Sequence, residues 1–313
     1  MSLNATEPLD KAGSKQKFHI IINLRAGSAL GLSRHEVEQT VASQFAAAGF
    51  HPVIESVMPG DVDTAVARAA ASNADVLIVG GGDGTVRTAA RHIMGTSKTL
   101  GILPLGTMNR LAKDLEIPLS LEAAARFLAT EAVTRHIDVA TVNGEIFLCN
   151  SIMGETLRFS VGRARLRGRP VTERIPKYFA IFRDILSSRR KLSIVVDNGD
   201  ERIRIRALSI IVTNNGYDET NSWFRRPRLT GGKLTMYISK HRSGLGMVMA
   251  LARALIGLWR GDPEVMKLSG SQFVIYSKKR KRLSNDGELS KFDTPLRYEV
   301  RPKALNILMK AEI

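Results

Sequence analysis

The first 130 residues alternate short apolar runs with helix-forming segments, and this alternation limits the possible folds more than any other feature. Four apolar runs have the length and composition of strands, at 18–23, 51–56, 75–80 and 99–106. Four segments have the composition of helices, at 33–48, 61–71, 85–94 and 121–130. Asp61 is the predicted N-cap of the second helix. Strands that alternate with helices form a parallel sheet, so the sequence predicts a doubly wound α/β domain.

After about residue 135 the pattern changes to paired strands joined by tight turns. Asn143-Gly144 and Asn198-Gly199 are preferred hairpin turns between apolar strands. Further strands are predicted within 233–240 and 271–290, and helices near 175–187 and 246–258. The sequence therefore predicts a second domain that is mainly antiparallel and β-sandwich-like.

These patterns divide the chain into four parts. They are a disordered tail at 1–17, an α/β domain at 18–134, a β-rich domain at 135–303, and an end segment at 304–313 that could pack on the first domain. A chain of 313 residues has the length expected of about two domains.

The net charge of +16 is distributed unevenly. Residues 1–157 carry 13 basic and 16 acidic side chains, whereas residues 158–313 carry 33 basic and 14 acidic ones. Much of the excess lies in 158–191, where basic and apolar residues are interleaved, and in the basic run 278–282. Such a surface favours an anionic partner, either a membrane or a nucleic acid.

Several classes of protein are excluded. Cys149 is the single cysteine, so no internal disulfide forms and a reducing compartment is favoured. No apolar run approaches the roughly 18–20 residues of a membrane span, and residues 1–17 lack an apolar signal core. The six histidines show no paired zinc-ligand spacing. We expect a cytoplasmic protein that associates peripherally with a membrane.

A glycine-rich loop between a buried strand and a helix is the strongest local signal. Its residues are Gly80, Gly81, Gly82, Asp83, Gly84 and Thr85. Consecutive glycines let backbone N–H groups approach a phosphate, and the helix N-terminus adds favourable positive potential. The loop matches neither the P-loop pattern nor the dinucleotide fingerprint. A tight turn without a ligand is the alternative interpretation.

Two more loops follow neighbouring strands. Thr107 and Asn109 come after the strand at 99–106, and Asn23 ends the first strand. Ligands of doubly wound sheets gather at the carboxyl ends of the strands, so we expect these residues to face the same crevice as Asp83. On its own the second loop is explained as a plain turn with a helix cap, and only its position next to the first loop favours a ligand site.

The sequence Asn285-Asp286-Gly287-Glu288 lies far along the β-rich domain. Asp-Gly is a preferred turn pair, so a plain hairpin turn is one interpretation. In the other, Glu288 or Asp286 acts as a general base for a hydroxyl.

Four blocks in this order resemble the diacylglycerol kinase catalytic-domain superfamily, which includes bacterial lipid kinases and the sphingosine and ceramide kinases. The blocks are GGDGT, PLGTMNRLAKDLEIP, IDVATVNGEIFLCN and NDGE. GGDGT alone is also found in NAD kinases and phosphofructokinases, whereas the second and fourth blocks are more specific. The resemblance runs from about Phe18 to the C-terminus.

The resemblance implies an ATP-dependent transfer of phosphate to a lipid hydroxyl, with Mg²⁺ as cofactor. The nucleotide loop would be centred on Asp83 and Thr85, with Thr107 in the second loop. Ser56 stands where the family often has a nucleotide-contacting threonine. Glu288 matches the proposed proton acceptor, with Asp286 beside it.

Three departures from the family pattern stand out. Leu24 follows Asn23 where the family has proline, and Arg87-Thr88 replaces an Asn-Glu pair. Gly231 occupies the place of an acid in the accessory magnesium site, so that site is expected to be absent or altered.

Alternatives to a lipid kinase remain open from the sequence. A kinase of a soluble substrate such as NAD would share GGDGT, and a catalytically inactive member would keep only binding. A nucleic-acid binder fits the net charge, but no RNA- or DNA-binding motif supports it. The basic surface of the β-rich half instead favours an anionic membrane. The acceptor lipid is not readable from the sequence.

Overall fold

The computed structural model describes residues 16–27, 31–165, 171–186, 191–197, 199, 201–218, 225–241, 243, 245–246, 248–249 and 262–311. The chain forms two compact units. Unit 1 comprises the residues up to Asp138 and those from Lys303 onward, and unit 2 comprises Val139–Pro302. Residues 1–15 of the predicted tail and most of the predicted helix at 246–258 lie outside the described residues.

Unit 1 alternates strands and helices. Its strands are β1 (Phe18–Asn23), β2 (Val53–Val57), β3 (Val76–Gly81), β4 (Thr99–Pro104) and the first part of β5 (Val133–Val142). Its helices are α1 (Leu24–Gly27), α2 (Arg34–Ala47), α3 (Val62–Ala71), α4 (Asp83–Ile93), α5 (Arg110–Asp114) and α6 (Leu121–Thr130). The last part of β16 (Leu296–Met309) completes the unit.

The strands of unit 1 form a parallel sheet in the order β2-β1-β3-β4. The chain moves outward from β1 to β2 and then returns past β1 to β3, so the winding reverses between β1 and β3. The end of β16 adds a further parallel strand, with Asn306 opposite Thr99 of β4. Strands β3 and β4 are buried along their whole length, as expected for a sheet covered on both faces.

A local signal sets the start of α2. Ser33 caps α2 through a capping box with Glu36, in which each side chain bonds the backbone N–H of the other residue. The predicted cap of α3 is wrong, because the Asp61 side chain accepts no capping hydrogen bond. Asp61 instead ends a 3₁₀ turn, Pro59–Asp61, and has helical dihedral angles rather than the extended ones of a capping residue.

Unit 2 is built mainly from antiparallel strands. They are the end of β5, β6 (Glu145–Phe147), β7 (Asn150–Gly154), β8 (Leu192–Asp197), β9 (Arg202–Ala207), β10 (Ser209–Asn214), β11 (Leu234–Ser239), β12 (Val265–Gly270), β13 (Gln272–Tyr276), β14 (Lys281–Asn285), β15 (Glu288–Phe292) and the start of β16. Its helices include α7 (Glu155–Arg165) and α8 (Val171–Leu186).

These strands form two layers around one apolar core. One layer runs β16-β13-β8-β9, and the other runs β12-β11-β10-β7-β14-β15. Both layers contribute buried side chains to the same cluster, including Phe273, Ile205, Met236 and Leu283. The unit is therefore a sandwich, and α7 packs on the second layer through β7, β10 and β14.

The predicted fold class is confirmed, with an α/β unit followed by an antiparallel β unit. The Asn143–Gly144 turn joins β5 to β6, and both residues have the positive φ angles of a type I′ hairpin. The hairpin predicted around Asn198-Gly199, as one strand pair over 191–215, corresponds to β8 and β9 only up to Ala207; residues Ser209–Asn214 form a third strand, β10, which pairs with β7 and β11 in the other layer. In the described part of the chain no helix is long and apolar enough to cross a bilayer.

Candidate functional site

The candidate site in unit 1 lies where the winding of the sheet reverses. Asn23 ends β1, and the glycine-rich loop follows the adjacent β3. The Asn23 side-chain amide donates a 3.2 Å hydrogen bond to the Thr85 hydroxyl, while its carbonyl accepts one from the N–H of Arg25. Ligands of open α/β sheets bind at such a reversal, so the geometry makes this edge the first candidate for a ligand site.

The glycine-rich loop leads directly into α4. Gly82 is the residue before the helix, and Asp83, Gly84 and Thr85 form its first turn. The first N–H groups of a helix have no partner within the helix, and they carry the positive end of its dipole. An anion such as a phosphate is therefore favoured at this end of α4.

Asp83 joins the first loop to the second. Its carboxylate accepts a 2.8 Å hydrogen bond from the backbone N–H of Arg110, the first residue of α5. The two loops also touch through their backbones, because a Cβ added to Gly106 would lie 2.4 Å from Gly82 Cα. The loops after β3 and β4 therefore form one packed surface, as the sequence predicted for their strand ends.

Asn109 and Thr107 have different environments in the second loop. Asn109 is buried with φ of 48°, and its amide donates to the carbonyls of Pro104 and Gly106 at 2.9 and 2.8 Å. It therefore holds the shape of the loop from within. Thr107 is exposed beside it, so the threonine hydroxyl is the group of this loop that can meet a ligand.

Ser56 lies one strand further out, opposite Ile22 of β1. It lines a pocket of about 570 Å³, within the size range of small-molecule sites. The other lining residues come from α1, α2, β2, α3 and the 3₁₀ turn: Leu24, Arg34, Glu55, Val57, Met58, Asp61, Thr64, Ala65 and Arg68. Leu24 follows Asn23, so the pocket adjoins the reversal of the sheet.

Both arginines that line this pocket are paired with carboxylates. Arg68 forms an ion pair with Glu55, and Arg34 donates to Glu38 at 2.8 Å. His19 lies 3.8 Å from Glu55 on the same strand pair. Partial burial lowers the pKa of His19 despite the neighbouring carboxylate, so its neutral form is favoured. The pocket thus combines both charge signs with an apolar lining.

In unit 2, Asp286 and Gly287 form the two-residue turn between β14 and β15. Asp286 and Gly287 have φ angles of 50° and 97°, as a type I′ hairpin requires. Glu288 begins β15 and is exposed. The predicted hairpin turn is therefore present and presents the Glu288 carboxylate at its end.

Both oxygens of the Asp286 carboxylate accept hydrogen bonds from backbone N–H groups. Its Oδ2 accepts from the N–H of Leu148 at 2.6 Å, and its Oδ1 accepts from Cys149 and Asn150 at 2.8 and 3.0 Å. In return the Asp286 N–H donates to the Asn150 carbonyl at 2.9 Å. Asp286 therefore fastens the hairpin to the segment 148–150, and its acceptor oxygens are directed at that segment.

The segment 148–150 is also held by a buried arginine that the sequence did not single out. Arg226 donates to the carbonyls of Leu148 and Asn214 at 2.6 and 3.0 Å, and its guanidinium lies 3.3 Å from the Cys149 sulfur. It is only 3% exposed. In the sequence it is one of many arginines, and only its burial distinguishes it.

The structure brings together the predicted residues of unit 1. Asn23, the loop Gly80–Thr85, Thr107 and Asn109 surround one sheet edge, and Ser56 lines the adjoining pocket. Asp286 and Glu288 lie together on one hairpin of unit 2.

The accessory magnesium site suggested by the resemblance does not fit this chain. A Cβ at Gly231 would lie 2.6 Å from Asn215 Oδ1, so the Asn215 amide fills the space that an acid there would need. Within the described residues no three His, Cys, Asp or Glu side chains cluster as a metal site. We therefore assign no step to an accessory metal.

The first part of the chain is similar in sequence to known proteins. Residues 17–142 match the family model of the diacylglycerol kinase catalytic domain. A protein named Probable lipid kinase YegS-like, from Yersinia pestis (strain Pestoides F), is 40% identical over 99 residues, which are 30% of this chain and 33% of the relative. The protein of that name from Yersinia pseudotuberculosis serotype O:1b (strain IP 31758) gives the same figures. The matched part thus spans about a third of these curated relatives.

Solved structures match almost the whole chain. A crystal structure of a proposed diacylglycerol kinase from Bacillus anthracis str. Sterne has a TM-score of 0.75 at 22% identity, covering 94% of this chain and 97% of that one. A second structure of a diacylglycerol kinase from the same organism has a TM-score of 0.70 at 19% identity, with the same coverage. At this identity the likeness establishes the fold. The predicted resemblance to the diacylglycerol kinase catalytic domain is confirmed for residues 17–142, which match its family model.

Proposed function

We propose that this chain, in which residues 17–142 match the diacylglycerol kinase catalytic domain, is an ATP-dependent lipid kinase. The observation that carries the proposal is the glycine-rich loop at the reversal of the sheet, fixed by two contacts. Asn23 bonds Thr85 inside the loop, and Asp83 bonds Arg110 across to the second loop. These contacts preorganise backbone N–H groups for an anion before it arrives.

In this proposal ATP lies across the carboxyl ends of β1, β3 and β4. Its phosphates are bound by the N–H groups at the start of α4, and its nucleoside occupies the pocket lined by Ser56. Asp83 is the carboxylate that would hold magnesium beside the phosphates. Bound magnesium would neutralise phosphate charge, which is its usual contribution to phosphoryl transfer.

Glu288 is the proposed proton acceptor. The hydroxyl oxygen of the lipid forms a bond to the γ-phosphorus, and the bond from that phosphorus to the β,γ-bridging oxygen breaks, so ADP leaves. The hydroxyl proton passes to the Glu288 carboxylate. Since Asp286 is bonded to three backbone N–H groups, we assign it to holding the hairpin rather than to receiving the proton.

The lipid acceptor and the membrane are the less direct parts of the proposal. The names of the Yersinia relatives support a lipid acceptor. Peripheral attachment to an anionic bilayer is supported by the basic excess after residue 158, which would bring the enzyme to an acceptor in the membrane.

Phosphate transfer from labelled ATP tests the proposal. The purified chain is given diacylglycerol, monoacylglycerol, phosphatidylglycerol and a sphingoid base in mixed micelles, and NAD in solution. We expect label in at least one lipid and none in NAD, with magnesium required. The Asp83→Asn variant is expected to lose transfer, because its side chain carries no charge for magnesium. Label in NAD alone, or in no acceptor, would refute the lipid-kinase assignment.

A further inference from the structure

One face of the sandwich in unit 2 is rich in arginine. Along β9 the side chains alternate strictly, with Ile205 and Ala207 in the core and Arg202, Arg204 and Arg206 exposed. A strand points successive side chains to opposite faces, so the three arginines share the outer face of the layer β16-β13-β8-β9.

The neighbouring strands extend this surface. On β16 the core takes Leu296 and Tyr298, whereas Arg297, Glu299 and Arg301 are exposed. We call Arg202, Arg204, Arg206, Arg297 and Arg301 the arginine face. Asp197 and Glu299 are the acidic residues that share this outer face within the four strands, so the strands themselves carry a clear positive excess.

Apolar side chains lie between the arginines on the same face. Val195 of β8 is paired with Arg204 on one side and with Tyr276 of β13 on the other, and Val274 is paired with Arg297. Tyr276 is itself exposed, and the Arg202 guanidinium lies 5.5 Å from the centre of its ring. On this surface guanidinium groups therefore alternate with apolar and aromatic groups.

Most of these guanidinium groups remain available for a partner. Arg202 donates to Asp197 at 2.8 Å. Among the described residues no carboxylate lies within ion-pair distance of Arg204, Arg206, Arg297 or Arg301. Exposed guanidinium groups of this kind bind phosphate oxygens through paired hydrogen bonds.

Protection of a sheet edge explains only part of the arrangement. Strand β9 is the last strand of its layer, and charged residues on an edge strand prevent pairing with other chains. Strand β16, however, is paired with β13 and with β5, so its arginines do not serve to protect an unpaired edge. The arginines are therefore distributed over the outer face of the layer and are not confined to its edge strand.

We infer that the arginine face docks on the phosphate-bearing surface of an anionic lipid bilayer. The inference rests on the proposed function, since a lipid kinase must reach an acceptor in a membrane. The exposed guanidinium groups complement the phosphate groups of lipids, and Tyr276 has the amphipathic ring favoured at the membrane interface. Sheets that bind single-stranded RNA stack two or three bases on aromatic side chains, whereas the described strands of this face present one aromatic ring.

Vesicle binding without ATP tests the inference. Vesicles of phosphatidylcholine alone and of phosphatidylcholine mixed with phosphatidylglycerol are sedimented with the full chain, with Arg204→Glu/Arg206→Glu, and with Arg297→Glu/Arg301→Glu. Each arginine near the membrane surface contributes about 1 kcal/mol to binding. The partition coefficient of each double variant for the anionic vesicles should therefore be roughly thirtyfold or more below that of wild type. Wild-type binding should fall as salt rises and be negligible on the neutral vesicles.

The control changes the net charge equally on unit 1. Arg126→Glu/Lys310→Glu alters two exposed basic residues there and should retain binding. Thermal unfolding checks that all variants fold, and either double variant on the arginine face can carry the test alone. Retained binding in both of them, or an equal loss in the control, would overturn the inference.

Two further results separate this inference from the proposed function. If wild-type protein phosphorylates a lipid in micelles but does not bind anionic vesicles, the inference fails and the proposed function stands. If binding depends on the arginines but no lipid is phosphorylated, the docking surface stands and the kinase assignment fails. Binding of the arginine face to RNA or DNA, without binding to vesicles, would assign it to nucleic acid and overturn the inference.

Discussion

At the scale of single residues, two carboxylates on one hairpin have opposite environments. Asp286 accepts three backbone hydrogen bonds, whereas Glu288, two residues later, is exposed at the start of β15. A carboxylate that accepts three backbone N–H groups acts as a structural anchor. An exposed carboxylate can exchange protons with a ligand. The two residues should therefore respond differently to substitution.

Replacement of Glu288 by glutamine should reduce phosphate transfer by a factor of about 10²–10⁴, because the amide cannot accept the hydroxyl proton. The free energy of unfolding should change by less than about 0.5 kcal/mol, since the side chain is exposed. Steady-state kinetics with a lipid acceptor and denaturant unfolding measure the two quantities. Glu299→Gln, at another exposed position of unit 2, is the matched control. Unchanged kcat in Glu288→Gln would refute its assignment as proton acceptor.

Replacement of Asp286 by asparagine should lower stability as well as activity. The amide offers one acceptor oxygen in place of two and turns an NH₂ group toward a backbone donor, so a cost of about 1–3 kcal/mol is expected. Chemical denaturation and kcat are compared with those of Asp293→Asn, whose carboxylate is exposed and pairs with Arg280. Loss of activity with no change in stability would show that Asp286 acts in the chemistry instead.

At the scale of elements, the glycine-rich loop could be predicted because its signal is local. Strand β3, the glycines and the start of α4 are contiguous in sequence, and the prediction needed only their order. The contact between Gly82 and Gly106 could not be predicted, because it depends on how two loops 24 residues apart pack. The cap of α3 failed for a related reason, since the 3₁₀ turn before it changes the backbone angles of Asp61.

Replacement of Gly106 by alanine should push the two loops apart, because its Cβ would lie 2.4 Å from Gly82 Cα. Misplacement of the N–H groups at the start of α4 should then weaken ATP binding by at least about tenfold, a loss of about 1.4 kcal/mol. Isothermal titration calorimetry with ATP measures the dissociation constant. Gly270→Ala is the control, since its Cβ would meet neighbours only at 3.5 Å or more. Equal affinity in the two variants would contradict the role of this contact.

At the scale of the whole molecule, the excess of basic residues is associated with unit 2. It is not confined to the segment 158–191, in which the sequence predicted much of it. Many side chains of 158–191 lie outside those that the structure describes, although Ile175 is exposed. The arginine face consists of residues that lie far apart in the sequence, at 202–206 and 297–301. The alternation of exposed and buried residues along each strand was visible in the sequence. That the arginines of the two strands share one face could be known only from the order in which the strands pair.

A fall in pH should destabilise the protein through protonation of His19, at pH values above those at which most carboxylates titrate. Burial holds the pKa of His19 below its ordinary value of 6.5, so the unfolded chain binds a proton more readily than the folded one. Its contribution to stability is thus present above about pH 6.5 and is lost as the pH falls below that value. The melting temperature measured between about pH 5 and pH 7.5 should decline less in His19→Asn than in wild type. His51→Asn, at an exposed position, should follow wild type, and an identical decline in all three proteins would refute the assignment.

The sequence alone determined the fold class and the position of the candidate nucleotide loop. Both depend on periodicity and on glycine, which act between residues close together in the chain. Tertiary structure alone decided that Asn23 bonds Thr85, that Arg226 is buried against the segment 148–150, and that Asp286 holds that segment. These pairs are separated by 62 to 138 residues, and no local pattern encodes them. A hydrogen bond between distant residues exists only after packing has brought the strands together, and for this reason the anchoring of the Glu288 hairpin was not readable from the sequence.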